Sequence, residues 1–163
     1  MKPNFKRNKE RRAPDRRLYA PISGKILPLN SVSDPVYAAK MYGEGVAIVP
    51  NEDLVVSPAA GTLVLISVNR NSFGIETESG EKVYVHVGLG APETRARGFE
   101  VLLPEGSKVR PGQPIFKIDR KFFDNSALDM TTVMIVTTSK GGEYRVLEGD
   151  MASAGKTPVL ERK

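Results

Sequence analysis

His86 is the single histidine of a 163-residue chain that contains no cysteine, so any nucleophilic ring nitrogen must come from this one side chain. Imidazole has its unperturbed pKa near neutrality, which leaves a neutral nitrogen free to attack or to ligate without special tuning. A lone histidine in a strand is most often a half-buried side chain held by one hydrogen bond, and its neighbours decide between the two uses. His86 lies in the alternating run Val83-Tyr84-Val85-His86-Val87-Gly88, which reads as a strand. With Glu78-Ser79-Gly80-Glu81 as a four-residue loop, Thr77 faces Lys82, Ile75 faces Tyr84 and Phe73 faces His86. Alternation then sends Val83, Val85 and Val87 to the core and leaves Tyr84, Ile75 and Phe73 around the histidine. The same register sets Asn71 diagonal to His86 and within side-chain reach. The expected result is a shallow apolar depression, either a dry protein-binding patch or the second buried face of a sandwich.

The elements that must hold this patch are short. From Leu18 onward Gly and Pro recur too closely for ordinary helices, and between them lie β-prone runs at Lys25–Leu27, Val46–Val49, Thr62–Val68, Ser72–Thr77, Lys82–Val87, Ile115–Ile118, Thr131–Thr137 and Val159–Leu160. Evenly spaced short strands predict an all-β antiparallel sandwich or barrel, with one helix over Arg120–Leu128 and a single turn within Pro35–Tyr42. Tyr19-Ala-Pro-Ile-Ser-Gly-Lys-Ile-Leu resembles Val56-Ser-Pro-Ala-Ala-Gly-Thr-Leu-Val, and Gly106–Ile115 reads as a turn, a short strand, a Gly turn and a strand. The length suits one core.

Residues 1–17 carry eight basic side chains against Glu10 and Asp15, a net of +6, and the remainder is near neutral. Residues 1–18 therefore read as a basic, disordered tail ahead of a single domain over 19–163. Such a tail suits peripheral contact with anionic surfaces, or serves as a solubilising arm. It has no aromatic interleaving for reading a nucleic acid, so no nucleic-acid partner is expected. Absence of cysteine excludes disulfides and thiolate sites. No apolar run of membrane-spanning length occurs, and a cytoplasmic monomer is expected.

The blocks Ala20-Pro21-Ile-Ser-Gly24, Asp34-Pro-Val36-Tyr37-Ala-Ala-Lys40-Met41, Gly43-Glu-Gly45-Val-Ala-Ile-Val-Pro50, Ser57-Pro58-Ala-Ala-Gly61-Thr62, Phe73-Gly-Ile-Glu-Thr, Val85-His86-Val-Gly88-Leu, Gly106-Ser-Lys-Val109-Arg-Pro-Gly112 and Lys156-Thr-Pro158-Val159 occur in this order. Over residues 19–160 the chain resembles the glucose-type enzyme IIA domains of the bacterial phosphoenolpyruvate-dependent sugar phosphotransferase system. The resemblance implies an antiparallel β-sandwich of the duplicated-hybrid-motif type. It also implies a phosphocarrier that accepts a phosphoryl group from phospho-HPr on His86, as a phosphohistidine, and passes it to a IIB domain. No cofactor and no metal are implied. Val36, Tyr37, Met41, Tyr42, Phe73, Tyr84 and Leu89 are the expected apolar docking rim, with Asp34 and Glu93 as its acidic groups.

Three departures bear on function. Where the family has a second histidine fifteen residues before the acceptor, this chain has Asn71; a carboxamide can donate to a phosphoryl oxygen but cannot take a proton near neutrality. The family's Thr two residues earlier is Asn69. The acidic residue that usually follows the acceptor is missing from His86-Val-Gly-Leu-Gly90-Ala, which should weaken attraction to the basic edge of HPr. The alternative reading is thus a degenerate regulatory relative that binds partners, including proteins outside the sugar system, through the same face with impaired onward transfer. A zinc enzyme is disfavoured, because a catalytic zinc needs about three protein ligands. A lipoyl or biotinyl carrier on Lys40 is disfavoured because Lys40 follows a helical turn and not a tight hairpin.

Overall fold

A computed structural model of the chain describes residues 15–89, 98–126, 129–138 and 143–163. Among them the alternating runs form strands β1 (Arg17–Tyr19), β2 (Gly24–Pro28), β3 (Glu44–Pro50), β4 (Leu54–Val56), β5 (Gly61–Ile66), β6 (Ser72–Thr77), β7 (Lys82–His86), β8 (Phe99–Val101), β9 (Lys108–Val109), β10 (Pro114–Ile118), β11 (Thr132–Thr138), β12 (Tyr144–Val146), β13 (Met151–Ala152) and β14 (Pro158–Arg162). Two short helices accompany them, α1 (Pro35–Ala38) and α2 (Arg120–Ser126), and a 3-10 turn covers Leu29–Ser31.

Every strand pairing is antiparallel. An eight-stranded sheet runs β13-β2-β3-β11-β7-β6-β5-β9, and two three-stranded sheets, β1-β14-β12 and β4-β10-β8, complete the fold. The inner face of the large sheet supplies Phe73, Ile75, Val83, Val85 and Met134 to one core with Leu18, Val55, Ile115, Phe116 and Leu160. This is the antiparallel β-sandwich expected from the strand spacing.

Two expectations change. The first strand begins at Arg17 and Leu18 is buried in the core, so the fold takes in residues that charge alone assigns to the tail; residues 1–14 of that tail lie outside the described residues. Second, the β6–β7 hairpin is one residue tighter than expected. Thr77 N–H donates to Glu81 O at 2.8 Å, Gly80 N–H donates to Thr77 O at 2.9 Å, and Gly80 has φ +87°. The loop is therefore three residues, Glu78-Ser79-Gly80, with glycine in the left-handed position that such loops require. Ser72 faces His86, Gly74 faces Tyr84 and Ile75 faces Val83. A one-residue slip exchanges the faces of one strand, so Phe73 and Ile75 join the core, and Phe73 is 0% exposed with its ring edge-on to Phe116.

The two similar segments hydrogen-bond each other. Tyr19 N–H donates to Pro58 O and Val56 N–H to Pro21 O, so each copy binds the other. Ala20 pairs in the same way with residues 155 and 157 as Ser57 does with 112 and 113. At that junction a side chain on Gly155 would place its Cβ 2.5 Å from the Gly112 Cα.

Candidate functional site: an imidazole on the outer sheet face

Strand β7 carries His86 near the middle of the large sheet, between β6 and β11, with Val133 and Ser72 opposite it. The opposite face of β7 is core, so alternation fixes the imidazole outward. A second, smaller apolar cluster covers this outer face: Leu29, Tyr37, Ala47, Val133 and Ile135, with Leu27, Val32, Tyr84 and Leu89 packed around them. The face is thus partly a buried layer and partly surface. Residues 29–38 cover one side of the imidazole.

That cover is built by local capping. Asp34 accepts hydrogen bonds from Val36 N–H (2.9 Å) and Tyr37 N–H (3.3 Å), and Pro35 supplies a preset first turn. The cap fixes Tyr37, whose hydroxyl oxygen lies 3.1 Å from His86 Nδ1 and whose ring meets His86 edge-on at 5.8 Å. Tyr42 meets the Tyr37 ring edge-on at 5.3 Å. Burial pushes the Tyr37 hydroxyl far above the usual tyrosine range, helped by the charges of Tyr84 and Asp34, so it stays protonated.

The second ring nitrogen meets the loop between β5 and β6. Ser67, Asn69 and Arg70 form its turn, with Arg70 N–H on Ser67 O at 2.9 Å and Arg70 at φ +56°. Asn71, the last loop residue, is buried and sets its Nδ2 at 3.3 Å from His86 Nε2. Ser67 Oγ donates to Asn71 Oδ1 at 3.2 Å and accepts from Ser72 N–H at 3.2 Å. Tyr84 donates to Ser72 Oγ at 2.8 Å. Both ring nitrogens are therefore engaged, and burial lowers the His86 pKa below its usual value, with the Asp34 charge opposing.

The structure brings together most of the expected site residues and removes one. Tyr37, Tyr84, Leu89 and Asn71 lie beside or pack around His86 on the outer face, Asp34 caps the helix that bears Tyr37, and Val36 is half-buried in that helix. Met41 and Tyr42 are 74% and 53% exposed. Phe73 is corrected to the inner core by the register change. Glu93 lies outside the described residues. Ser67 and Ser72 were not singled out by sequence, although the tighter hairpin would have put Ser72 opposite the histidine. Val68, 95% exposed in the loop that ends at Asn71, was also missed. Lys40, at φ +57° after the helix, pairs with Glu44 at 3.2 Å.

Fold and site together define an antiparallel β-sandwich with one imidazole set among apolar and hydroxyl side chains on an outer sheet face. Residues 16–141 match the family model of the phosphoenolpyruvate-dependent sugar phosphotransferase system, EIIA 1, and the chain belongs to that family. It is 32% identical over 145 residues to the glucose-specific EIIA component of Staphylococcus aureus, covering 88% of this chain and 87% of that protein. It is 35% identical over 147 residues to the N-acetylglucosamine-specific EIICBA component of Escherichia coli, of which it spans 23%. Among solved structures, glucose permease IIA from Mycoplasma capricolum superposes with a TM-score of 0.81 at 26% identity, covering 88% of this chain and 94% of that one.

Proposed function

We propose that this chain is a phosphocarrier in which His86 accepts a phosphoryl group from phospho-HPr. The observation that carries the reading is the setting of the imidazole. Desolvation keeps the ring neutral, and a neutral ring nitrogen is the nucleophile that in-line transfer needs. Exposed Met41, Tyr42 and Val68 offer an apolar rim against which a carrier protein can dock and exclude water. Incubation with phosphoenolpyruvate, enzyme I and HPr should add about 80 Da in an acid-labile form, the mass of one phosphoryl group. His86→Ala should abolish the adduct. An adduct that survives in His86→Ala, or none on the wild-type chain, overturns the reading.

Onward delivery to a IIB domain is the slower half of this cycle. Asn71 stands where the family has its second histidine, and its amide can donate to a phosphoryl oxygen without taking a proton. The phosphorylated chain should consequently persist long enough to act as a signal read by other proteins. Discharge to a IIB domain should speed up in Asn71→His; unchanged discharge would show that this position is not the bottleneck.

A further inference from the structure

Among the described residues, two other than glycine hold a left-handed backbone, and both are basic residues next to a partner of the imidazole. Lys40, at φ +57°, follows the helix that bears Tyr37, and Arg70, at φ +56°, immediately precedes Asn71. Glycine or asparagine adopts this conformation at lower cost than a long side chain, so a basic group is kept at each place against the local preference of the backbone. Lys40 is neutralised by Glu44. Arg70 is exposed and takes part in none of the ion pairs among the described residues. Its backbone is tied to the strand that carries the ring, because Asn71 O accepts from Val87 N–H at 2.7 Å and Asn71 Nδ2 lies 3.3 Å from His86 Nε2. The arginine is anchored one residue from both contacts, with an exposed stem long enough to reach a group held on the ring.

We propose that Arg70 binds the phosphoryl group once it is on His86. The proposal rests on the reading of His86 as phosphoryl acceptor. The Asn71 amide can donate to a phosphoryl oxygen but carries no charge; Arg70 adds a permanent cation with a planar fork of donors suited to phosphoryl oxygens. In the transfer, a bond forms from the His86 ring to phosphorus while the donor's nitrogen–phosphorus bond breaks and its electron pair goes to the donor ring. The phosphoryl group arrives with its negative charge, and the guanidinium is the unpaired cation beside it. Before transfer there is no anion to hold, in keeping with a guanidinium that stands in solvent.

The distribution of phosphoryl groups between HPr and the chain at equilibrium tests this, because it does not depend on how the two proteins dock. Arg70→Asn, which suits the left-handed position, should lower the equilibrium constant for phosphorylation of the chain about three- to ten-fold, the range of a charge-assisted hydrogen bond at an exposed site. Its thermal midpoint should be at or above that of the wild type. Arg70→Lys, which keeps the charge without the fork, should recover part of the loss. In 31P spectra the phosphoryl group should titrate at higher pH in Arg70→Asn than in the wild type, since a neighbouring cation favours the dianion. Equal equilibrium constants and equal titrations in the two proteins would overturn the proposal, as would a loss in Arg70→Asn accompanied by a lowered thermal midpoint. If phospho-HPr transfers nothing, phosphoramidate, a small donor, loads the ring directly. A titration that still differs between wild type and Arg70→Asn then upholds the arginine assignment while the phosphocarrier reading fails, and identical titrations overturn both.

Discussion

At the scale of residues, Tyr37 and Asn71 set the surroundings of one imidazole, each within hydrogen-bond distance of a ring nitrogen. Burial desolvates His86, and the charge of Asp34 acts against that desolvation. A lowered folded pKa means that the unfolded chain takes the proton first, so stability from this group is present above about pH 6.5 and is lost as the pH falls. The ring of His86 should titrate with a midpoint below about 6.5 in a proton spectrum; a midpoint at or above that value would contradict the desolvated setting. Much of this site was legible in the sequence. A lone histidine in an alternating run has to face one side of a sheet, and Asn71 was within reach of it in either register. The hydroxyl contact of Tyr37 was not legible, because it depends on a helix cap folding 49 residues away in sequence onto the ring.

At the scale of elements, the hairpin register decides which aromatic groups are surface. Periodicity placed both strands correctly but left loop length open, and a single residue of loop exchanges Phe73 between rim and core. Gly80 held the answer: a glycine at the third loop position suits a left-handed residue, which makes three loop residues sufficient. Phe73→Ala should therefore cost about 3–5 kcal/mol of unfolding free energy by denaturant titration, as a large-to-small change in a packed core. Met41→Ser should change stability by less than about 0.5 kcal/mol and raise the KM for phospho-HPr. Equal, small effects on stability would restore Phe73 to the surface and refute the observed register. Strands β4, β8 and β12 escaped sequence reading because three residues carry too little alternation to be distinguished from loop.

At the scale of the whole molecule, two similar segments far apart in sequence hydrogen-bond each other through the carbonyls of Pro21 and Pro58. The repeated Pro-x-x-Gly pattern showed that two segments were alike. It did not show that they touch, because long-range pairing leaves no local signature. Their contact relies on Gly112 and Gly155, both at positive φ, +88° and +72°. Gly155→Ala would combine left-handed strain with a Cβ 2.5 Å from the Gly112 Cα, and overpacking of that kind costs about 3 kcal/mol. A thermal melt should show a midpoint lowered by roughly 6–12 °C; an unchanged midpoint would mean that the junction yields freely.

The large sheet presents His86 on one face and buries the core on the other. No helix among the described residues is long and apolar enough to cross a membrane. Single-turnover transfer from isolated phospho-HPr, followed by fragmentation of the intact phosphorylated chain at neutral pH, tests the account most directly. The phosphoryl group is predicted on the His86 ring. Its recovery on any other residue, or its complete retention on HPr, would contradict the account.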